Sequence, residues 1–143
     1  MIISKKIIDE INRVLSDTPP ESGGIIGSKD HGIIDKIIFD KPISEKIQYC
    51  YYSPNVDFLN KHISIWSDED IQFMGVFHTH FANVKSLSAA DKNYIEAIMM
   101  NMPDAIDFLY FPIFVFPVRE LIVYKAEKSS SRVTISLDDL LIV

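Results

Sequence analysis

The stretch that most restricts the fold of this chain is the run Ile71 to Phe77, followed directly by His78-Thr79-His80. Apolar residues fall on both faces of this run when it is extended, which predicts a central strand covered on both sides. Side chains two residues apart on a strand point to the same side. His78 and His80 therefore continue the strand and face one side together, while Thr79 points away from them.

Patterns elsewhere predict the elements that cover such a strand. Apolar residues at helical spacing predict an amphipathic helix that ends before Pro19-Pro20. Ser53-Pro54 is typical of a helix start, and a further helix is predicted from near Ser88 to before Pro103. Strands are predicted at Ile25-Ile26, Ile33 to Phe39, Ile47 to Tyr52, Phe111 to Phe116, Leu121 to Tyr124 and Arg132 to Leu137, with a loop at 81–87. The predicted fold class is α/β (α+β), a single mixed β-sheet flanked by helices.

Composition limits the class of partner and the compartment. The 143 residues are 48% hydrophobic, which suits one domain with a substantial core. The net charge of -6 argues against nucleic acid or an anionic membrane as the main partner. The single cysteine, Cys50, cannot form an intramolecular disulfide, and charged residues interrupt the N-terminal apolar patches. These features predict a cytoplasmic protein.

A candidate metal site follows from the two histidines and a later carboxylate. Asp91 lies eleven residues beyond His80. Two imidazoles and one carboxylate can supply three ligands of a zinc tetrahedron, and water takes the fourth position in a catalytic site. Ser88 and Asp91 also have the spacing of a capping box, which requires no metal. Glu21, in a Pro/Gly-rich turn, is the candidate carboxylate for carrying protons.

Taken together, these residues resemble the JAMM (MPN+) motif of the JAB-domain, Mov34-type zinc metalloproteases. That pattern has a Glu upstream, then His-Ser/Thr-His-Pro, a seven-residue spacing to Ser, and Asp three residues further on. The stretch Pro20-Glu21-Ser22-Gly23-Gly24-Ile25-Ile26 is similar to the family's Glu-x-Gly-Gly-aliphatic stretch. Phe81 stands where the family usually has Pro, but no ligand is lost. The resemblance covers about residues 1–125 and leaves the tail, 126–143, outside it.

The resemblance implies a function and a role for each residue. It implies one JAB/MPN domain over 1–143, with cytidine-deaminase-like architecture, of the small stand-alone prokaryotic type. His78, His80 and Asp91 would be ligands of Zn²⁺, Glu21 the general base and acid, and Ser88 a hydrogen-bond donor to the tetrahedral intermediate. The reaction would be hydrolysis of a peptide or isopeptide bond at the C-terminal tail of a ubiquitin-like or sulfur-carrier protein.

Several alternatives stay open at this point. Relatives of the family that lack the metal, the MPN− proteins, are non-catalytic scaffolds, and a metallohydrolase acting on a small amide would need the same site residues. We expect the 81–87 loop, including Phe81 and Lys85, to border the substrate groove. His62 and Cys50 are interpreted as packed side chains. The apolar end, Leu140 to Val143, could dock on its own domain or on a partner.

Overall fold

A mixed sheet of six strands forms the centre of the protein, as seen in a computed structural model that describes residues 1–30, 32–41 and 52–143. In chain order the elements are β1 (Ile2–Ile3), α1 (Lys5–Val14), β2 (Gly23–Ser28), β3 (Ile33–Ile34), β4 (Lys36–Phe39), α2 (Val56–Asp68), β5 (Gln72–His80), α3 (Ala89–Asn101), β6 (Phe108–Val115), β7 (Glu120–Ser129), β8 (Arg132–Asp138) and β9 (Leu141–Ile142). The six strands lie in the order β4-β2-β5-β6-β7-β8.

The predicted central strand is confirmed as β5. It pairs antiparallel with β2 and parallel with β6, and its last seven residues, through His80, are buried. The two predicted strands after α3 are also confirmed, as the longer antiparallel pair β6 and β7. β5 has a neighbouring strand on each side and helices over its two faces. Side chains on both faces are therefore apolar, which explains why the sequence of β5 is an almost continuous apolar run.

Apolar clusters cover the two faces of the sheet. Ile7 and Ile11 of α1 pack in one cluster with Phe77, and Ile95 of α3 packs in the other with Val76. Successive residues of β5 therefore point to opposite clusters, as the alternation of a strand requires. His78 and His80 continue the Val76 side, so they face the layer that contains α3. The predicted mixed sheet flanked by helices is confirmed.

The prediction of a single sheet needs one correction. A small parallel sheet, β3-β1-β9, lies beside the main one, and the predicted strand Ile33 to Phe39 is divided at Asp35 between the two sheets. Strands of two residues are too short to produce a periodic pattern, so nothing in the sequence signals β1 and β9. The apolar end of the chain joins this sheet, because β9 pairs with β1.

The predicted start of α2 is also wrong, and two predictions fall outside the described residues. The N-cap is Asn55, not Ser53, and its side chain accepts a hydrogen bond from the Phe58 N–H. Asn is as good an N-cap as Ser, so the sequence offers two starts for this helix. Cys50 and all but the last residue of the predicted strand at 47–52 lie outside the described residues. In the described part of the chain, no helix has the length and apolarity needed to cross a membrane.

Candidate metal centre

The candidate site lies at the carboxyl end of β5, where three elements meet. β5 carries His78 and His80, and the start of α3 carries Asp91. Glu21 comes just before β2, whose Gly23 pairs with His78 across the sheet. His78, His80 and Asp91 are each at most 4% exposed. The fold therefore brings all of these predicted site residues together, from three separate parts of the chain.

The donor atoms of the two histidines and Asp91 converge on one point. The Nε2 atoms of His78 and His80 lie 2.9 Å apart. Asp91 places Oδ1 3.2 Å from His78 Nε2 and Oδ2 3.1 Å from His80 Nε2. Ligand bonds of about 2.0–2.2 Å to tetrahedral zinc give donor-to-donor distances of roughly 3.3–3.6 Å. Three donors at these separations fit a single zinc ion with small adjustments.

Glu21 is the second carboxylate near the two imidazoles. One ligand atom each from Glu21, His78 and His80 forms a group in which all separations are within 4.8 Å. Glu21 Oε2 accepts a hydrogen bond from the backbone N–H of Tyr52 at 2.7 Å. The site thus has two carboxylates beside the histidines, and of the two it is Asp91 that contacts both imidazoles directly.

The outward nitrogen of each imidazole has a hydrogen-bond partner that the sequence did not reveal. His80 Nδ1 lies 3.1 Å from the carbonyl oxygen of Val84. His78 Nδ1 lies 3.0 Å from the hydroxyl of Tyr94. Such partners orient metal-binding histidines and fix their tautomers. Tyr94 could have been noticed in the sequence, because it lies three residues after Asp91 and therefore on the same side of the helix.

Asp91 and Ser88 form the predicted capping box. The Asp91 N–H donates to Ser88 Oγ at 3.0 Å, and Asp91 Oδ2 accepts from the Ser88 N–H at 2.8 Å. The cap determines where the Asp91 carboxylate lies relative to the histidines. Ser88 itself is exposed, so its hydroxyl can be reached from solvent. The capping interpretation and a role at the site are therefore compatible, as expected from the sequence.

The charges of the site depend on burial and on the contacts between its members. Burial raises the pKa of Glu21, and the neighbouring His80 opposes that shift. Burial also favours the neutral form of Asp91, but hydrogen bonds from the two imidazoles hold the pKa of Asp91 below its ordinary value. Burial lowers the pKa of His78. Burial also acts to lower the pKa of His80, but its hydrogen bond to Asp91 and the nearby carboxylates outweigh burial and raise that pKa above its ordinary value. An ionised Asp91 beside a neutral His78 is the state that metal ligands require, and His80 must lose a proton to reach it.

The surface next to the site contains a cavity and the predicted loop. The cavity has a volume of about 310 Å³ and is lined by Glu21, Leu15, Phe39, Tyr52 and eight neighbouring residues. Phe81 is half-buried and stacks on Phe116, with 6.0 Å between ring centroids. Residues 82–86 of the loop are exposed. Phe81 thus has a packing role in place of the family's proline, while the rest of the loop is accessible.

Two other histidines of the sequence are not part of the described site. His62 lies on α2 and packs edge-on against Phe58, with 4.6 Å between ring centroids, which confirms its interpretation as a packed side chain. His31 lies outside the described residues. Within residues 1–30, 32–41 and 52–143, one group of His, Cys, Asp and Glu side chains could hold a metal. It is the group around His78 and His80.

Comparison with known proteins identifies the fold. No protein-family profile and no curated protein matches this chain. A JAB1/MPN domain protein from Archaeoglobus fulgidus is 14% identical and superimposes with a TM-score of 0.56, over 100% of this chain and 97% of that one. A structure described as a metalloprotease-like JAMM zinc site of the proteasome and signalosome is 16% identical. It superimposes with a TM-score of 0.55, over 100% of this chain and 97% of that one.

A third solved structure shares the same architecture. A protein from Desulfitobacterium hafniense is 13% identical, with a TM-score of 0.67 over 100% of this chain and 93% of that one. The match over the full length includes residues 126–143, which the sequence resemblance did not cover. At identities this low the likeness concerns the fold alone. The structure confirms that the chain has the JAB1/MPN fold, with a candidate metal centre at the carboxyl end of its central strand.

Proposed function

We propose that this protein is a zinc-dependent metallopeptidase that hydrolyses a peptide or isopeptide bond. The observation that carries the proposal is the convergence of His78, His80 and Asp91, whose donor atoms lie 2.9–3.2 Å apart. Two imidazoles and one carboxylate, with the fourth position left to water, are the ligand set of a catalytic zinc rather than a structural one. The likeness to the JAMM zinc-site structure supports the same proposal.

The proposal gives each residue around the ligands its own task. His78, His80 and Asp91 would hold the zinc, which when bound polarises a carbonyl and lowers the pKa of a water molecule. Glu21, whose pKa burial raises, is suited to take a proton and return it to the leaving amine. The exposed Ser88 hydroxyl would donate a hydrogen bond to the oxygen on which negative charge develops.

The substrate we propose is a protein with an extended C-terminal tail, of the ubiquitin-like or sulfur-carrier class. β4 is an edge strand of the main sheet within the described residues and lies next to β2, at whose start Glu21 is found. An extended tail can add to a free edge strand through main-chain hydrogen bonds. The cavity beside Glu21 and the exposed loop residues 82–86 offer further contacts near the same end of the sheet.

The first experiment measures zinc per chain in protein purified without added metal, together with an Asp91→Ala variant. We expect one zinc per chain in the natural protein and its loss in the variant. Absence of zinc even after titration with the metal would make the histidine pair structural. That result would favour the non-catalytic scaffold over the peptidase.

The second experiment separates chemistry from metal binding. Glu21→Gln removes the proton carrier but keeps the size and most hydrogen bonds of the side chain. We expect zinc to remain bound and cleavage of tail-fused substrates to fall by at least about 100-fold, the usual contribution of general acid–base catalysis. Glu96→Gln, at an exposed position of α3, is the matched control and should leave the rate unchanged. An unchanged rate for Glu21→Gln would remove this residue from the mechanism.

A further inference from the structure

We propose that Tyr94 is a positioning residue whose hydroxyl accepts the Nδ1–H of His78 when His78 binds zinc through Nε2. The inference rests on the zinc site of the proposed function, and it is independent of which substrate is cleaved. It is carried by the contact between the Tyr94 hydroxyl and His78 Nδ1, at 3.0 Å. The neutral imidazole carries one proton, so a nitrogen that binds metal requires the proton to be on the other nitrogen.

The two histidines of the site differ in what fixes their tautomer. The partner of His80 Nδ1 is the Val84 carbonyl, which can only accept a hydrogen bond. This hydrogen bond therefore requires the proton of neutral His80 to be on Nδ1, which leaves Nε2 free for metal. The partner of His78 Nδ1 is a hydroxyl, which can donate or accept. His78 is thus compatible with both tautomers, and Tyr94 must accept the Nδ1–H when the metal is bound.

The surroundings of His78 make this hydrogen bond important. The side chain is fully buried, so bulk solvent does not reach it. Among the described residues, the Tyr94 hydroxyl is the hydrogen-bond partner of Nδ1. Without the hydroxyl, the metal-binding tautomer would bury an unpaired N–H, and the metal would bind more weakly as a result. The other tautomer would avoid this cost by pointing its Nε2–H toward Asp91 Oδ1, 3.2 Å away.

A conservative variant can remove the hydroxyl and leave the packing in place. The Tyr94 ring packs edge-on against His78 and Phe111, with centroid separations of 5.9 and 6.3 Å. Tyr94→Phe keeps both ring contacts. The control is Tyr124→Phe, because the Tyr124 hydroxyl also takes part in one hydrogen bond, which it donates to the Lys85 carbonyl, and does not touch the metal ligands. Both variants lose one hydroxyl and one hydrogen bond, but only one of them loses the partner of a proposed ligand.

The test compares zinc dissociation constants of the natural protein and both variants, measured by competition with a chromophoric chelator. We expect Tyr94→Phe to weaken zinc binding by about 10–100-fold, the usual effect of removing such a partner, and Tyr124→Phe to change it less than about twofold. Unfolding of the metal-free proteins is measured in parallel. Equal zinc affinity in Tyr94→Phe and the natural protein would overturn the inference while leaving the proposed zinc site intact.

A second measurement needs no variant and covers the case in which Tyr94→Phe does not fold. Long-range ¹H–¹⁵N spectra of the zinc-loaded natural protein report which nitrogen of each histidine carries the proton. We expect both His78 and His80 to be protonated at Nδ1. Protonation of His78 at Nε2 would overturn the inference. Failure of the natural protein to bind zinc would overturn this inference and the metal of the proposed function together.

Discussion

Thr79 accepts a hydrogen bond from the backbone N–H of Ser22, with 2.9 Å between Oγ1 and N. The backbone N–H of Thr79 in turn donates to the Ser22 carbonyl at 2.8 Å. Thr79 lies between the two histidines, and its hydrogen bonds therefore fix the position of Ser22, the residue that follows Glu21. The middle position of the His-x-His stretch connects the histidine strand to the segment that carries the second carboxylate.

Because of this connection, we expect Thr79→Val to disturb the position of Glu21 more than it weakens zinc binding. Valine has the shape of threonine but leaves the Ser22 N–H without its acceptor, which should cost about 1–3 kcal/mol in the free energy of unfolding. We expect zinc binding to be kept and cleavage to slow, as measured by urea denaturation, zinc titration and kcat. Thr134→Val, at an exposed position of β8, is the control. Loss of zinc from Thr79→Val would contradict the prediction.

Gly23 is predicted to tolerate no side chain, because the backbone and an aromatic ring approach it closely. A Cβ at this position would lie 2.3 Å from the Phe77 carbonyl oxygen and 2.8 Å from the Tyr52 ring. Gly23→Ala should lower the free energy of unfolding by about 1–3 kcal/mol, as overpacking does. It should also slow cleavage, because Tyr52 donates its backbone N–H to Glu21.

The control for this prediction is Gly32→Asn, assayed in the same way. Gly32 has a φ of +84°, and a Cβ added there would meet no described atom within 4 Å outside its chain neighbours. Asn accepts the left-handed region better than most residues, so this variant should keep its activity and lose less stability than Gly23→Ala. Similar losses of activity in both variants would argue against a specific role of the close approach at Gly23.

Ser88→Ala is predicted to lose more activity than its role as a cap can explain. Removal of an N-cap side chain usually costs about 1 kcal/mol. Loss of a donor to the developing oxyanion slows cleavage by about 100-fold or more. Ser4→Ala is the matched control, because Ser4 is the N-cap of α1 and its side chain accepts from the Lys6 N–H. If kcat falls equally little in both variants, Ser88 is a cap and has no part in the chemistry.

Zinc should stabilise the folded protein in proportion to the logarithm of its concentration. A ligand that binds only the folded state, present at about a thousand times its dissociation constant, adds about 4 kcal/mol. We expect the Tm to rise with added zinc and to fall when a chelator removes it. The Asp91→Ala variant should show neither change. A zinc-dependent Tm in that variant would place the metal elsewhere.

The local patterns that predict structure correctly depend on neighbours in the chain. The apolar run before His78 predicts the central strand, and the capping spacing of Ser88 and Asp91 predicts the start of α3. The N-cap of α2 lies two residues later than predicted, since both Ser53 and Asn55 suit that position and the choice depends on Asp40, which accepts from the Asn55 N–H. In the small sheet, β3 lies inside a predicted strand, but β1 and β9 could not be predicted, because their pairing partners are distant in the sequence.

The sequence alone identifies the candidate ligands, their spacing and the side of the strand on which the two histidines lie. These follow from residue identity and from the two-residue repeat of an extended chain. The folded structure was needed to show that Tyr94 and Val84 are the outer partners of the histidines, and that Tyr52 and Thr79 fix the segment of Glu21. The contact between Thr79 and Ser22, for example, joins residues that the chain separates by 57 positions. Such contacts arise from how helices and strands pack, and the packing depends on the whole core at once.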